Sequence, residues 1–404
     1  MGVYLSVANK DISADEGSGH GLKYFVGEIQ GWRKNMEDAH IACTEVADVD
    51  HVEREGDMVS LFGVFDGHGG KEVAKFCQVY FQQELVKMTE FYNRDFPTAL
   101  RKTFHRMDEM LEKEEYDFQL SQFRKLPNPS DKKKDDDASE GSSASGTKTG
   151  RKISTSEAMQ LFQDLLEKEQ NKGEKKVPKA PLASLMPDYV PSFPTDLNTS
   201  NAEDEGDKYV NDANMQCRLS EHRLNAGCTA VVALKHGDEL YVANAGDSRA
   251  VLCRGDGEVY PLSFDHKPSD KIESDRIVKA KGFVNHVGRV NGNLNLSRAI
   301  GDLKYKQNKE ISPAEQIISG DPDITVTQLL PTDKFIVIAC DGIWDCFTNQ
   351  AVVDFIEERK KEGKSLRAIV EDIFDFSVSV DPRTTQGIGG DNMTCMIIDL
   401  QDSS

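Results

Sequence analysis

Apolar, strand-like runs that stop at an aspartate beside a glycine are the feature that most constrains this chain. The run VSLFGVF (59–65) has the length and the aromatic and β-branched residues of a buried strand, and an acid follows it directly. Three further runs meet an acid at one end, and the junction residues are Asp66, Asp247, Asp341 and Asp391. Helix capping explains one aspartate at such a junction. Four of them predict strands whose ends share one acidic site.

Carboxylates that converge on one place repel each other, and in a partly desolvated site only cations compensate for that repulsion. Carboxylate, carbonyl and water ligands suit Mg²⁺ or Mn²⁺, whereas Zn²⁺ sites favour closely spaced His and Cys, which this sequence lacks. Two such ions about 3.5 to 4 Å apart can share a water, lower its pKa and place it in line with a phosphorus atom. The junctions therefore predict hydrolysis of a phosphoester.

Two neighbouring stretches offer groups that would act on the phosphate. In GWRKNMEDAH (31–40), Arg33 can grip a phosphate with two hydrogen bonds, while Glu37 and Asp38 can orient metal-bound waters. The alternative for this stretch is a solvated charged turn. In FDGHGG (65–70), His68 either protonates the leaving oxygen or is a helix-start histidine bonded to the backbone.

Composition narrows the class of protein further. The formal net charge of -20, with no basic patch, argues against a nucleic-acid partner. Eight cysteines are scattered without a CxxC pair, as free thiols are in a reducing compartment. No apolar run approaches the roughly 18 residues of a membrane span, and no secretory signal is evident. We expect an intracellular, cytoplasmic protein, with the membrane surface and the nucleus as alternatives.

Changes in composition and residue pattern along the sequence divide the chain into segments. Residues 23–111 and 223–400 carry regular strand and helix patterns and predict a single α+β domain. Residues 112–222 are rich in charge, Ser, Gly and Pro, which predicts a largely disordered insertion with one amphipathic helix at 156–170. Residues 1–22 are an N-terminal segment, and residues 401–404 are a C-terminal tail.

The opening MGVYLS matches the pattern for N-myristoylation of Gly2. A single myristoyl chain gives only weak, reversible membrane association. We therefore expect at most a weak membrane interaction, and it depends on that modification.

Eight motifs together carry a family resemblance. They occur in the order found in metal-dependent serine/threonine protein phosphatases of type 2C, and the opening segment and long insertion are similar to the gamma-type members. The insertion of those members is acidic, whereas the charge of this one is mixed. The motifs are RKNMEDAH, FDGHGG, TAVVAL, NAGDSRAV, DHKPSD, RVNGNLNLSRAIGD, CDGIWD and GGDNMTCMII.

The resemblance implies a central β-sandwich of two antiparallel sheets flanked by helices, with two Mg²⁺ or Mn²⁺ ions in a cleft at one end. Asp66 would bridge both ions, Gly67 would bind one through its carbonyl, and Asp341 and Asp391 would complete the other. A water bridging the ions would attack the phosphate in line.

The remaining implied roles concern the substrate and a weaker third ion. Arg33 would bind the phosphate of a phosphoserine or phosphothreonine, and His68 would be the general acid. Asp247, Asp341 and Asp345 would hold the third ion. Asp302, which lies beside the cleft, would have a structural role. We expect a monomer that acts on phosphoproteins.

Two other functions stay open at this point. A cysteine-dependent phosphatase could use Cys217 and Arg223, which stand in a C-x5-R arrangement, but the residues between them lack the glycine that a phosphate-cradling loop usually contains. A non-catalytic or catalytically weak interaction protein on the same fold would show a substituted metal ligand. Asp66, Asp341 and Asp391 are all present.

Overall fold

The computed structural model describes residues 4–46, 58–131, 223–255 and 257–401. The chain divides into two units, Met1–Gly150 with Leu219–Ser404, and Arg151–Arg218, and every described residue belongs to the first. Gly2, the predicted helix at 156–170 and Cys217 lie outside the described residues. No helix in the described ranges is long and apolar enough to cross a membrane.

Two large antiparallel sheets form the centre of the fold, as the sequence predicts. The six-stranded sheet has the order β1-β2-β14-β13-β9-β10, and the five-stranded sheet has the order β12-β8-β7-β4-β3. The strands of the first are β1 (Ser13–Gly19), β2 (Leu22–Ile29), β9 (Arg249–Cys253), β10 (Val259–Pro261), β13 (Phe335–Ala339) and β14 (Met393–Asp399). Those of the second are β3 (Ala39–Cys43), β4 (Val59–Phe65), β7 (Ala230–His236), β8 (Glu239–Ala245) and β12 (Asp323–Gln328).

A third, small sheet lies at one end of the sandwich. It has the order β11-β6-β5, with β5 at Gly67–His68, β6 at Gly227–Cys228 and β11 at Ile300–Gly301. Each of its strands is two residues long, so it adds few backbone hydrogen bonds. It nevertheless fixes which residues of three distant chain segments meet beside the ends of the large sheets.

The period-2 alternation of β2 shows how the core is built. Tyr24 and Val26 point into the cluster between the two sheets, where they meet Phe62 and Val64 of β4. Phe25, between them in sequence, points to the other face of the six-stranded sheet and joins a second buried cluster. Because both faces of this sheet are covered, its central strands are buried along most of their length.

Helices cover the outer faces of both sheets. The helices α1 and α3 pack over the five-stranded sheet, and α6 and α8 over the six-stranded one, with α7 packed beside α8. The helices in chain order are α1 (Glu72–Leu85), α2 (Thr89–Tyr92), α3 (Phe96–Leu111), α4 (Asp117–Arg124), α5 (Lys271–Lys279), α6 (Asp341–Trp344), α7 (Asn349–Lys361) and α8 (Leu366–Ser377). Short 3-10 helices cover Glu114–Tyr116, Pro129–Asp131, Leu303–Tyr305 and Pro313–Glu315.

The ordered fold extends past both ends of the predicted segment 23–111. On the N-terminal side, β1 pairs with β2 along its whole length, so part of the segment 1–22 belongs to the sheet. On the C-terminal side, residues beyond 111 also belong to the fold, because α4 packs on α1. The side chains of Leu120 and Phe123, three residues apart on α4, are both buried. Side chains three residues apart lie on one face of a helix, so α4 buries one face against the fold. This buried face, rather than overall composition, shows that residues 114–131 are part of the fold.

Candidate active site

The junction aspartates lie at one end of the sandwich because of how the antiparallel strands pair. Ala339, near the end of β13, pairs with Cys395 near the start of β14, which places Asp341 and Asp391 at the same edge. On the other sheet, Ala230 at the start of β7 pairs with Ala245 at the end of β8, just before Asp247. Asp66 directly follows β4, and its carbonyl oxygen accepts the N–H of Thr229 at 2.9 Å. The predicted convergence is thus present in the structure.

A cleft of about 310 Å³ opens at this edge. Most of the predicted site residues line it, whereas Asp38 and Asp345 do not. The predicted residues on its wall are Arg33, Glu37, Asp66, Gly67, His68, Asp247, Asp341 and Asp391.

The carboxylates in the cleft are buried and close together, so their simultaneous ionisation is unfavourable. Burial raises the pKa of Asp66 well above its usual range, and the charges of Asp341, Asp38, Asp391 and Asp247 raise it further. Asp341 behaves in the same way, since burial acts first and the charges of Asp247 and Asp391 add to it. Such a cluster is stable in its charged form only when cations share it.

The donor set decides which cation fits. Carboxylate oxygens of Asp66 and Asp341 and the sulfur of Cys340 lie within 4.8 Å of one another. The Cys340 sulfur is already engaged by the backbone, since it accepts the N–H of Thr394 at 3.1 Å and its thiol donates to the carbonyl oxygen of Asn392 at 3.7 Å. The carboxylates supply oxygen donors of the kind that Mg²⁺ and Mn²⁺ prefer. The residues present therefore fit the predicted metals.

Gly67 is a position where only glycine fits. A Cβ atom there would lie 2.3 Å from the carbonyl oxygen of Glu37, so any side chain would push away the loop that carries Arg33. The missing side chain lets the backbone of that loop pack directly against the backbone that follows Asp66. The close approach explains the glycine independently of the carbonyl ligand role that the resemblance implies.

Glu37 and Asp38, predicted to orient metal-bound water, differ in their surroundings. Burial raises the pKa of Glu37, partly offset by its hydrogen bond to Asn35. Asp38 is fully buried, and one of its oxygens accepts the hydroxyl of Thr394 at 2.7 Å. Its other oxygen, Oδ1, is buried without a hydrogen-bond partner. An unpaired buried oxygen beside the cluster fits a residue that meets a ligand there.

Arg33 lies at the mouth of the cleft, and its guanidinium donates to Asp391. Burial lowers the pKa of Arg33, but the charge of Asp391 and this hydrogen bond outweigh burial and raise it overall. The side chain is 48% exposed, so it faces both the carboxylates and solvent. Asn392 fixes the backbone nearby: its Oδ1 accepts the N–H of Glu37 at 3.0 Å, and its Nδ2 donates to the carbonyl of Asn35 at 2.9 Å.

His68 is held by a residue to which sequence reasoning gave only a structural role. Its Nε2 lies 2.6 Å from a carboxylate oxygen of Asp302, which is 2% exposed. Burial lowers the pKa of His68, but the charge of Asp302 and this hydrogen bond outweigh burial and raise it. Nδ1, the other ring nitrogen, is buried without a partner. The one signal in the sequence for Asp302 is that it, too, directly follows a glycine.

The predicted third metal position already contains a cation from the protein. The ammonium of Lys267 lies 2.6 Å from Asp247 Oδ2, and Asp247 is 2% exposed. Burial lowers the pKa of Lys267, but Asp247, Asp265 and Asp341 together raise it, so the ammonium stays charged. Asp345 also lies near this ammonium. Burial raises the pKa of Asp345, and the charge of Lys267 partly offsets that rise. Sequence reasoning did not identify this role for Lys267.

The alternative of a cysteine nucleophile receives no support from the part of the chain that the structure describes. The guanidinium of Arg223 donates to Asp117 at 2.5 Å and to the carbonyl oxygen of Leu111 at 2.8 Å. It therefore ties the start of the second ordered segment to α4. None of these contacts is part of the cleft.

Comparison with known proteins identifies one family. The sequence model described as Protein phosphatase 2C matches residues 22–145 and 186–384. Probable protein phosphatase 2C 11 of Oryza sativa subsp. japonica is 36% identical over 405 residues, covering 99% of this chain and 91% of the relative. Probable protein phosphatase 2C 60 of Arabidopsis thaliana is 37% identical over 399 residues, covering 98% and 92%.

A solved structure supports the fold in particular. The crystal structure of a phosphatase from a pathogenic strain of Toxoplasma gondii has a TM-score of 0.57 with 18% sequence identity, covering 97% of this chain and 96% of the other. The matches to the family model and to these relatives show that the chain belongs to the protein phosphatase 2C family.

Proposed function

We propose that this protein hydrolyses phosphoserine and phosphothreonine in proteins with the help of two Mg²⁺ or Mn²⁺ ions. The observation that carries the proposal is the meeting of Asp66, Asp341 and Asp391 with Arg33 and His68 in one cleft. The first three supply the oxygen donors for the ions, together with the carbonyl of Gly67. When bound, the ions would activate a water and neutralise charge on the phosphate.

The side chains around that acidic centre have distinct tasks. Arg33 donates to phosphate oxygens and so holds the group to be removed, which requires it to leave Asp391 in part. His68 has one nitrogen bound to Asp302 and keeps the other, Nδ1, for the leaving oxygen of the serine or threonine. Asp38, whose Oδ1 is unpaired, orients a water beside the carboxylates.

A catalytically weak binding protein on the same fold is the competing function. Loss of catalysis in such a protein follows from loss of a ligand or of the acid. Here each of Asp66, Asp341, Asp391 and His68 is present and lines the cleft. The geometry therefore favours an enzyme.

Hydrolysis of matched phosphopeptides tests the proposal. Peptides of one sequence carrying phosphoserine, phosphothreonine or phosphotyrosine are compared with Mn²⁺ and with EDTA. We expect release of phosphate from the first two only when Mn²⁺ is present. Equal release in EDTA would reject the metal requirement, and release from phosphotyrosine alone would reject the substrate class.

Lipidation, the similarity to gamma-type members and the location in the cell stay predictions. We propose that Gly2 is myristoylated and gives weak membrane association. An intact mass spectrum of protein made in eukaryotic cells tests this, because a mass without the acyl chain would end the idea.

A further inference from the structure

Residues 126–131, which we call the stem segment, follow α4 and lie directly before the residues outside the described range. Sequence analysis assigned them to the insertion. In the structure they pack against residues 30–37, which we call the Arg33 loop. The contact brings a part of the chain without any phosphatase motif next to the group that holds the phosphate.

Asn128 makes the central contacts between the two segments. Its Oδ1 accepts the backbone N–H of Met36 at 3.1 Å, and its Nδ2 donates to the side-chain oxygen of Asn35 at 3.4 Å. Asn35 lines the cleft. One side chain thus fixes the backbone and a side chain of the loop between Arg33 and Glu37.

A second contact acts on the other half of the loop. The N–H of Ser130 donates to Oε1 of Gln30 at 3.2 Å. Gln30 is fully buried, and its Nε2 donates to the carbonyl oxygens of Arg33 and Lys34, both at 3.0 Å. The backbone directly after the Arg33 side chain is therefore linked to the stem segment through Gln30.

A buried cation holds the stem segment in place. Lys71 is 6% exposed, and its ammonium donates to Asn128 Oδ1 at 2.6 Å and to the carbonyl oxygen of Leu126 at 2.9 Å. Hydrogen bonds from a charged donor are stronger than neutral ones. Lys71 directly follows the turn FDGHGG (65–70), so Asn128 connects the Arg33 loop to the strand end that carries Asp66 and His68.

From these contacts we infer that Asn128 is a positioning residue for Arg33. Asn128 lies outside the family motifs, and by holding the backbone of the Arg33 loop it sets the affinity of the cleft for phosphate. The inference rests on the proposed role of Arg33. Arg33 is half exposed, and its guanidinium must leave Asp391 in part to hold a phosphate, so its reach depends on the backbone that Asn128 and Gln30 hold. Loss of Asn128 should therefore weaken phosphate binding more than it slows the chemical step.

The test is a double-mutant cycle of Asn128→Ala with Arg33→Ala, in the full chain with Mn²⁺ and a phosphothreonine peptide. We expect Asn128→Ala to raise KM about three- to tenfold, the range for the loss of one or two hydrogen bonds. kcat should change less than KM. In the Arg33→Ala background, Asn128→Ala should have no further effect on KM.

Two matched variants complete the design. Asn128→Asp keeps the acceptor for Met36 and Lys71 and should restore most of the lost affinity. Ser130→Ala keeps its backbone contact to Gln30 and should behave like the unaltered protein. Inorganic phosphate as an inhibitor should show the same order of affinities.

The outcomes separate this inference from the function on which it rests. If Arg33→Ala leaves KM unchanged, the proposed role of Arg33 is wrong. If Arg33→Ala raises KM and Asn128→Ala does not, the positioning role of Asn128 is wrong. If the double variant raises KM by the product of the two separate effects, the positioning role is also wrong, because Asn128 would then act independently of Arg33.

Discussion

His68 Nε2 lies 2.6 Å from Asp302 Oδ2, although 234 positions separate the two residues in the chain. The small sheet creates this contact, because β5, which contains His68, and β11, which precedes Asp302, both pair with β6. Gly227 of β6 lies between them, and a Cβ there would be 2.5 Å from Asp302 Oδ2 and 2.8 Å from His68 Nε2. The absence of a side chain at Gly227 thus lets the pair form.

Asp302→Asn should lower kcat for a phosphothreonine peptide by about 10- to 100-fold, within the range typical of general acid catalysis. The substitution removes the negative charge that favours the protonated form of His68, while the volume of the side chain hardly changes. An aryl phosphate needs little protonation of its leaving oxygen, so its kcat should fall much less. His68→Ala should show the same contrast. Equal losses on both substrates would show that the pair only supports the structure of the cleft.

Sequence reasoning found the strand ends and the acids on them, because an apolar run of fixed length and a glycine are local signals. Asp66, Asp341 and Asp391 lie where their junctions predict. The residues that pair with His68 and Asp247 could not be found in this way. The pairing of Asp302 with His68 and of Lys267 with Asp247 depends on which distant segments the sheets bring together. No periodicity within one segment encodes that.

Two ordered segments lack a sequence signal of their own for a physical reason. The strand β1 has the sequence SADEGSG, with no apolar alternation, because it is an edge strand held by backbone hydrogen bonds to β2. The stem segment, with Pro127, Asn128 and Pro129, has the composition of a linker. Its order comes from Lys71 and the Arg33 loop, which supply hydrogen-bond partners that composition cannot reveal.

Lys267→Gln should strengthen the weakest Mn²⁺ site. The substitution removes the ammonium that neutralises Asp247, and a buried carboxylate without its cation attracts another. Calorimetric titration with Mn²⁺ should show a lower dissociation constant for the weakest site, and thermal stability without metal should fall. An unchanged weak site would mean that Asp247 and Lys267 are not part of a third metal position.

Deleting Arg151–Arg218 should leave KM and kcat for a short phosphopeptide nearly unchanged, since the described fold lies wholly in the other unit. Deleting residues 127–218 removes Asn128 as well and should raise KM. Comparing the two deletions separates the stem segment from the rest of the insertion. A collapse of turnover in the shorter deletion would show that residues 151–218 belong to the catalytic unit.

The buried pair of His40 and Glu28, 2.7 Å apart, predicts a pH dependence of stability. Burial lowers the pKa of His40, but Glu28 outweighs it and raises the pKa from 6.5 to about 9. A raised pKa means that the pair stabilises the fold fully below pH 6.5, and that this contribution disappears as the pH passes about 9.

His40→Gln should therefore lower the melting temperature by several degrees near pH 6.5, because the buried Glu28 carboxylate loses its hydrogen-bonded cation and keeps only the weaker charge effect of Lys75. The difference from the unaltered protein should narrow above pH 9, where His40 is itself neutral. Thermal unfolding of both proteins, measured from pH 6.5 to above pH 9, checks this change in the melting-temperature difference. A difference that does not vary with pH would contradict the charged pair.

The most direct test of the whole account measures hydrolysis of a phosphothreonine peptide against Mn²⁺ concentration for three proteins: the unaltered chain, Asp66→Asn and Cys340→Ala. The sulfur of Cys340 lies within 4.8 Å of carboxylate oxygens of Asp66 and Asp341, so Cys340→Ala is a matched control for disturbance of the core. We predict no hydrolysis without metal, saturable activation of the unaltered chain and of Cys340→Ala, and no activity of folded Asp66→Asn even at saturating Mn²⁺. Undiminished turnover by Asp66→Asn, or loss of activation in Cys340→Ala with its fold intact, would contradict a centre built on carboxylate oxygens.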